Sequence, residues 1–308
     1  MVNKDLNTRR ATVTGATGFI GAHLARRLVA EGWDVHVIAR LQSDLSMLRS
    51  IASKIKVYRH DGTIKSMREI VEAAEPDVVF HLASNFIAEH TPEDIEALIE
   101  TNVTFGTQVV ESMIVNGAYK FVNVGTAWQH FENKCYNPVC LYAATKQAFE
   151  AILTYYTEST CLRVITLKLF DTYGPDDPRK KLFSFLARVA TEKEPVPMSP
   201  GEQLVDIVYI DDVVDAFFLA ASLLEEPGES FETYAISSQN PIMLRDLVSV
   251  YSEVTGRSLS IEWGKKPYRC REVMVPWDRG RILPGWRPNV SLEEGIRKLI
   301  TATVEVGE

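Results

Sequence analysis

Thr14-Gly15-Ala16-Thr17-Gly18-Phe19-Ile20-Gly21 decides how this chain is read. The β-rich run Ala11 to Thr14 leads into it and a helix-forming run, Phe19 to Glu31, leads out, so the glycines fall on a strand-to-helix turn. Gly15 permits the tight turn, Gly18 lets the backbone approach a pyrophosphate, and Gly21 lets the helix pack closely on the strand. The helix N-terminus then supplies N–H donors for the anion. A plain strand-helix turn is the competing reading, and the surrounding pattern weighs against it.

Outward from the turn the pattern alternates. Further β-rich runs at Val35 to Ala39, Lys56 to Tyr58, Val78 to Leu82, Lys120 to Val124 and Arg163 to Leu169 are separated by helical segments at Ser66 to Ala74, Pro92 to Asn116 and Tyr142 to Glu158. That order predicts an α/β fold, a Rossmann doubly wound parallel sheet of six strands with right-handed crossovers. After Leu169 the rhythm breaks at Tyr173-Gly174-Pro175 and at Pro195, Pro197 and Pro200. A strand-helix pair, Asp206 to Ile210 then Asp211 to Leu224, is expected to rejoin the sheet. Residues 1–174 and 206–236 thus read as a dinucleotide-binding Rossmann domain. Residues 175–205 and 237–308 read as a smaller C-terminal α/β substrate domain, with Trp263, Trp277 and Trp286 available for its core.

Composition narrows the partners. With 46% hydrophobic and 24% charged residues the 308-residue chain is an ordinary globular protein. Thirty-three Lys and Arg against 41 Asp and Glu give a net charge of −8 with no basic run, which argues against nucleic acid as the main partner but not against one phosphorylated small ligand. Met1 to Arg10 is polar, and Val213 to Leu224 is interrupted by Asp215 and too short to cross a bilayer. The four cysteines, Cys135, Cys140, Cys161 and Cys270, form no CxxC pair and predict reduced thiols and no metal site. A cytoplasmic protein with no membrane partner is expected.

At the end of the second strand, where a carboxylate would favour NAD by binding the ribose hydroxyls, the chain has Arg40. A guanidinium pairs with a 2′-phosphate that a carboxylate would repel, so NADP(H) is expected over NAD(H). Asp61, with Gly62 beside it, follows the third strand, and Leu82-Ala83-Ser84 follow the fourth, all at the carboxyl edge of the sheet where ligands bind. Asp61 suits an adenine contact or the capping of a turn.

Tyr142 and Lys146 are spaced i, i+4 at a helix start and share one helical face. An ammonium beside a phenol stabilises the phenolate and makes the tyrosine a usable proton donor near neutral pH. Thr126, just past the fifth strand, can hydrogen-bond the same carbonyl oxygen. The three form a proton-relay set for hydride exchange with a nicotinamide, in which Lys146 also binds the nicotinamide ribose.

Together with Thr14 to Gly21, His81-Leu82-Ala83, Asn102-Val103 with Gly106-Thr107, Leu169-Phe170-Asp171-Thr172-Tyr173-Gly174-Pro175 and Ile210-Asp211-Asp212-Val213-Val214, these residues give the chain a family resemblance along nearly its whole length. It resembles the extended short-chain dehydrogenase/reductase superfamily, nucleotide-sugar branch. The resemblance implies that Thr126, Tyr142 and Lys146 are catalytic. It implies a cofactor set of Gly15, Thr17, Gly18, Phe19, Ile20, Arg40, Asp61, Gly62, Leu82, Ala83, Ser84, Asn102, Tyr142, Lys146 and Phe170. It also implies a nucleotide-sugar substrate and a homodimer built on the helices Pro92 to Asn116 and Tyr142 to Glu158.

Within that branch, dehydratases carry an acidic pair directly after the catalytic hydroxyl residue, where this chain has Ala127 and Trp128. Epimerases acting at C3 or C5 carry a Cys two residues beyond the catalytic hydroxyl residue and a His just after Tyr-Gly-Pro, where this chain has Trp128 and Asp176-Asp177, so the resemblance implies neither reaction. The chain looks most like the bacterial C4 ketoreductases of NDP-4-keto-6-deoxyhexoses, CDP-abequose and CDP-paratose synthases and the dTDP-fucose-forming reductase among them. That resemblance implies NADPH-dependent reduction of the sugar ketone; a C4 epimerase holding NAD and a cofactor sensor without catalysis are the other readings. Relatives carry Gly-x-Gln-x-Arg-Asp-Phe, whose Arg grips the diphosphate, but here Val205 replaces that Arg. Arg271, aided by Arg179, Lys180 or Lys181, is the expected substitute, unless the substrate has no diphosphate. Phe86, Thr126, Ala127, Trp128, Asp171, Arg179 and Arg271 make up the expected substrate set. Trp128, His130, Phe131 and Phe86 lie near the expected cleft, but aromatic residues more often serve packing; His81 reads as structural, and Asp171 would repel a diphosphate unless paired.

Overall fold

Ala11–Thr14 lie fully buried because β1 (Arg10–Thr14) runs through the middle of a seven-stranded sheet. The computed structural model describes residues 8–179, 181–192 and 194–305, with side chains through position 301. Flanking β1 are β2 (Asp34–Arg40) and β4 (Val78–His81), both in parallel register; β3 (Ile55–His60) pairs with β2 and β5 (Lys120–Thr126) with β4, again in parallel. The order continues through β6 (Arg163–Leu169) to the strand Phe231–Ile236. The strand order reverses between β1 and β4, the switch point at which doubly wound sheets bind ligands beyond their carboxyl ends.

The apolar runs bury both faces of the sheet. Helices α1 (Phe19–Ala30), α2 (Ile64–Ala74), α3 (Ile95–Ile99), α4 (Phe105–Val115) and α5 (Leu141–Ser159) supply the covering layers. Val79, Val109, Met113, Phe121, Phe149 and Leu153 form the centre of one such core, where each is fully buried. The segment expected as one helix from Pro92 to Asn116 is interrupted: a π-helical stretch, Glu100–Thr104, separates α3 from α4. Such widened turns shift a side chain out of the regular helical register, and here it is Asn102 that turns fully inward.

The chain divides into two compact units. The first holds 1–126, 140–168 and 214–234; the second holds 127–139, 169–213 and 235–308. These cuts differ from the sequence boundaries at 127–139, 169–174, 206–213 and 235–236. Ile207–Tyr209, expected to rejoin the large sheet, pairs instead with Asp171–Tyr173 in a separate two-stranded parallel sheet, and the large sheet takes Phe231–Ile236 as its seventh strand. Residues 127–139 join the second unit because His130 stacks on Trp277 at 4.0 Å and Asn137 accepts from Arg271.

The second unit has its own core of Leu186, Leu244, Leu247, Val248, Tyr251 and Ile296, with Trp263 packed against it. Trp286 is buried and donates its indole N–H to the Asp212 carbonyl, while the Asp212 carboxylate accepts the backbone N–H groups of Asn289 and Val290. Val205 lies in this core and pairs with Ile242, so an apolar residue there completes packing rather than a phosphate contact.

Candidate active site

The glycine turn is shaped by contact with the neighbouring strand end. Gly15 has φ +71°, and a Cβ there would stand 2.5 Å from the backbone nitrogen of Ala83. A Cβ on Gly21 would meet the Gly15 carbonyl oxygen at 2.2 Å. No side chain fits at either place, so the turn after β1 and the segment after β4 lie against each other. Thr14 reinforces this: its hydroxyl accepts from the N–H of Ala83 at 3.2 Å and lies 3.0 Å from His81 Nδ1. Gly18 is the N-cap of α1, without a capping side chain. The N-terminus of α1, with Thr17, Phe19 and Ile20 at it, has the polarity that a pyrophosphate requires.

At the far side of the switch point, Arg40 ends β2 and is exposed. Arg59, which sequence reasoning missed, donates to the carbonyls of Arg40 at 2.8 Å and Ser43 at 3.0 Å and so pins the segment that carries Arg40. Asp61 takes the turn-capping role: its carboxylate accepts from the N–H and the hydroxyl of Thr63, which hold it below the usual carboxylate range. Gly62 follows with φ +96°.

Asn102 was expected to touch the cofactor, but its amide is fully engaged within the protein. Its Oδ1 accepts from the Asn85 N–H at 2.7 Å and the Ser84 hydroxyl at 3.2 Å; its Nδ2 donates to the Asn85 carbonyl and to Thr145 Oγ1, each at 3.0 Å. An amide has two acceptor and two donor positions, and all four are used. Asn102 therefore ties the segment beyond β4 to α5.

Thr126, Tyr142 and Lys146 all belong to the first unit and are all buried. Phe86, expected at the substrate, packs edge to face on Tyr142 with ring centroids 4.9 Å apart. The Lys146 ammonium has no hydrogen-bond partner among the described residues and lies fully inside the protein. Burial pushes it down to about 8, against a partial restoring pull from the Glu150 carboxylate. A buried, unpartnered ammonium is costly unless a ligand completes it, and the ribose hydroxyls of a dinucleotide have the right chemistry. His81 is fully buried and held well below its usual range by burial and then by the Lys146 charge, so it is a neutral structural ring.

The remaining candidates lie in the second unit. Ala127 is buried, and Arg269 sits 5.4 Å over the Trp128 ring while pairing bidentately with Glu272. Arg271 lies 4.3 Å over Phe131 and donates to Asn137 Oδ1 at 2.6 Å, and its Nε is buried without a partner among the described residues. Arg179 is not a spare cation: Asp177 takes it bidentately at 2.7 Å, and the Thr172 carbonyl accepts a further bond. Asp171 is paired, with Lys181 at 3.9 Å. Phe170 stacks near-parallel to Trp277. Lys180 lies outside the described residues.

By class the protein is an NAD(P)-dependent oxidoreductase. More narrowly, the chain belongs to the NAD dependent epimerase/dehydratase family, whose profile matches residues 11–236. The CDP-abequose synthase of Salmonella muenchen is 24% identical over 302 residues, 96% of this chain and 98% of the relative. The UDP-glucose 4-epimerase of Mycolicibacterium smegmatis is 27% identical over 310 residues, 94% of this chain and 97% of the relative. Among solved structures, UDP-glucose 4-epimerase from Thermotoga maritima with UDP-glucose gives a TM-score of 0.83 at 25% identity, covering 97% of this chain and 99% of that one. Among the described residues no helix is long and apolar enough to cross a membrane.

Proposed function

We propose that this protein reduces the C4 keto group of an NDP-4-keto-6-deoxyhexose, dTDP- or CDP-linked, with NADPH, in deoxysugar biosynthesis. Likeness to CDP-abequose synthase along nearly the whole chain supports the substrate class. The observation that carries net reduction is Arg40, exposed at the end of β2 in place of a carboxylate and with its segment pinned by Arg59. Epimerisation regenerates its own cofactor and gains nothing from a preference for the 2′-phosphate; reduction consumes NADPH.

When bound, NADPH supplies the hydride for the carbonyl carbon. Tyr142 delivers a proton to the carbonyl oxygen, and Thr126 donates a hydrogen bond to that oxygen as charge develops on it. Lys146 holds the ribose hydroxyls and stabilises the Tyr142 phenolate left behind. Arg271, already oriented by Asn137 and Phe131, takes the charge of the substrate diphosphate that Val205 cannot hold. The reading includes a homodimer, because Ile95, Ile99 and Tyr155 are 43%, 42% and 65% exposed on α3 and α5, an unusual place for large apolar side chains unless a partner covers them.

The test is NADPH consumption with dTDP- and CDP-4-keto-6-deoxyglucose and CDP-4-keto-3,6-dideoxyglucose, each made in situ, with NADH in parallel. Turnover that prefers NADPH supports the reading. A purified protein that carries NAD and interconverts C4 epimers without net NADPH loss makes it a C4 epimerase instead, the reading that likeness to the mycobacterial UDP-glucose 4-epimerase favours.

A further inference from the structure

Glu150 and Lys168 form an ion pair, Oε2 to Nζ 3.1 Å, between α5 and β6 with both side chains almost wholly inside the first unit. A buried ion pair is a poor way to gain stability, since apolar side chains of similar volume do as well or better. Its position suggests another purpose. Tyr142, Lys146 and Glu150 follow one another at i, i+4 and i+8, so the carboxylate lies one turn beyond the lysine on the face that carries the tyrosine.

The groups that act on the Lys146 ammonium differ in charge. From its own helix comes the Glu150 carboxylate, one turn on, and from β4 His81, which is neutral; Lys168 on β6 pairs with Glu150. On α4, Glu111 is engaged elsewhere: it accepts the hydroxyl of Tyr156 at 2.7 Å, ten residues along α5. Glu150 is thus the anion that acts on Lys146. A carboxylate free to rotate would serve poorly, and Lys168, anchored on the strand, holds it in place.

We propose that Glu150 and Lys168 are a positioning pair for Lys146: Glu150 keeps the buried lysine charged while its ribose-binding side is empty, and Lys168 fixes the carboxylate that does so. The catalytic meaning rests on the function proposed above, but the charge relationship does not. In this scheme Lys146 enters each cycle already protonated, able to bind the ribose and to stabilise the phenolate without recruiting a proton from outside.

The experiment is NMR of the full chain with isotope-labelled lysine, the Lys146 signal being assigned by its loss in Lys146→Met. The Lys146 midpoint, about 8 in the parent, falls by about one pH unit in Glu150→Gln, the scale of a nearby opposite charge. Should the orphaned Lys168 prevent that variant from folding, Glu150→Gln/Lys168→Met removes both charges and keeps an apolar fit; the midpoint still falls, by less, because a more distant cation is lost with the anion. A folded variant of either kind whose Lys146 midpoint is unmoved or raised overturns the proposal. With a ketone substrate, the alkaline limb of kcat moves by the same amount. If no substrate turns over, the proposed reduction fails while the titration still decides the role of the pair.

Discussion

The Asn102 amide donates to the hydroxyl of Thr145 at 3.0 Å, and that hydroxyl donates onward to the Tyr142 carbonyl at 2.7 Å. The π-helical stretch places Asn102 where it reaches α5, the Ser84 hydroxyl and the Asn85 backbone, so one side chain links the segment beside the glycine turn to the helix that carries Tyr142. Asn102→Ala leaves several buried groups without partners. We expect a loss of about 3 kcal/mol in unfolding free energy, measured by urea titration. A loss within experimental error would mean that other contacts hold the segment.

Thr126 ends β5 and is buried. Thr126→Val keeps the shape and removes the hydroxyl. Turnover should fall about a hundredfold, the usual cost of losing one donor to a developing oxyanion, while NADPH affinity measured by fluorescence stays near that of the parent. Full retained activity would remove Thr126 from the proton relay.

How much of this was readable beforehand depended on whether the deciding contact was local in sequence. Gly15 and Gly21 were legible because a turn and its helix follow each other along the chain, and the Tyr142–Lys146 spacing is a property of one helix. Asn102 was found as a residue but not as a clamp, since its partners Ser84, Asn85 and Thr145 lie 17 to 43 residues away. Glu150 and Lys168 are not legible as a pair because a charged residue in a helix and another in a strand ordinarily face water, and only the fold buries them together. The strand Ile207–Tyr209 was recognised but assigned to the wrong sheet, as pairing partners are set by tertiary contacts rather than by alternation.

Arg40 is the residue on which cofactor choice should turn. Arg40→Asp places a carboxylate where the 2′-phosphate would sit and where NAD-type sites bind ribose hydroxyls. NADPH affinity should drop by at least about tenfold relative to NADH affinity, a loss of at least about 1.4 kcal/mol. Parallel titrations with both cofactors check this, and equal losses would show that Arg40 does not read the phosphate.

If the expected dimer forms through α3 and α5, their exposed apolar side chains should matter to it. Ile99→Lys and Tyr155→Glu each put a charge on an exposed position without touching the buried core. If these helices join two copies, sedimentation at equal concentration should show the parent as a dimer and the double variant as a folded monomer. A parent that sediments as a monomer would dismiss the interface outright.

Lys146 gives a prediction whose sign follows from linkage. Its proton affinity is lowered in the folded protein to about 8, against 10.5 for a free lysine side chain, because burial disfavours the charged form. Below about pH 8 both folded and unfolded chains hold the proton, and the folded chain bears the whole cost of a buried charge. Between that value and 10.5 the unfolded chain binds more protons than the folded one, so stability contributed by this group rises with pH. Lys146→Met has no such term. It should therefore exceed the parent in unfolding free energy most clearly near about pH 7, with the gap closing by on the order of 3 kcal/mol as pH approaches about 10.5. Denaturant unfolding of both proteins across that range is the check. The same variant should be catalytically dead, which would show that the buried ammonium is retained at a cost to the fold. A gap that does not change with pH would mean that Lys146 is charged at no cost, and the case for a ligand-binding role of its ammonium would fall.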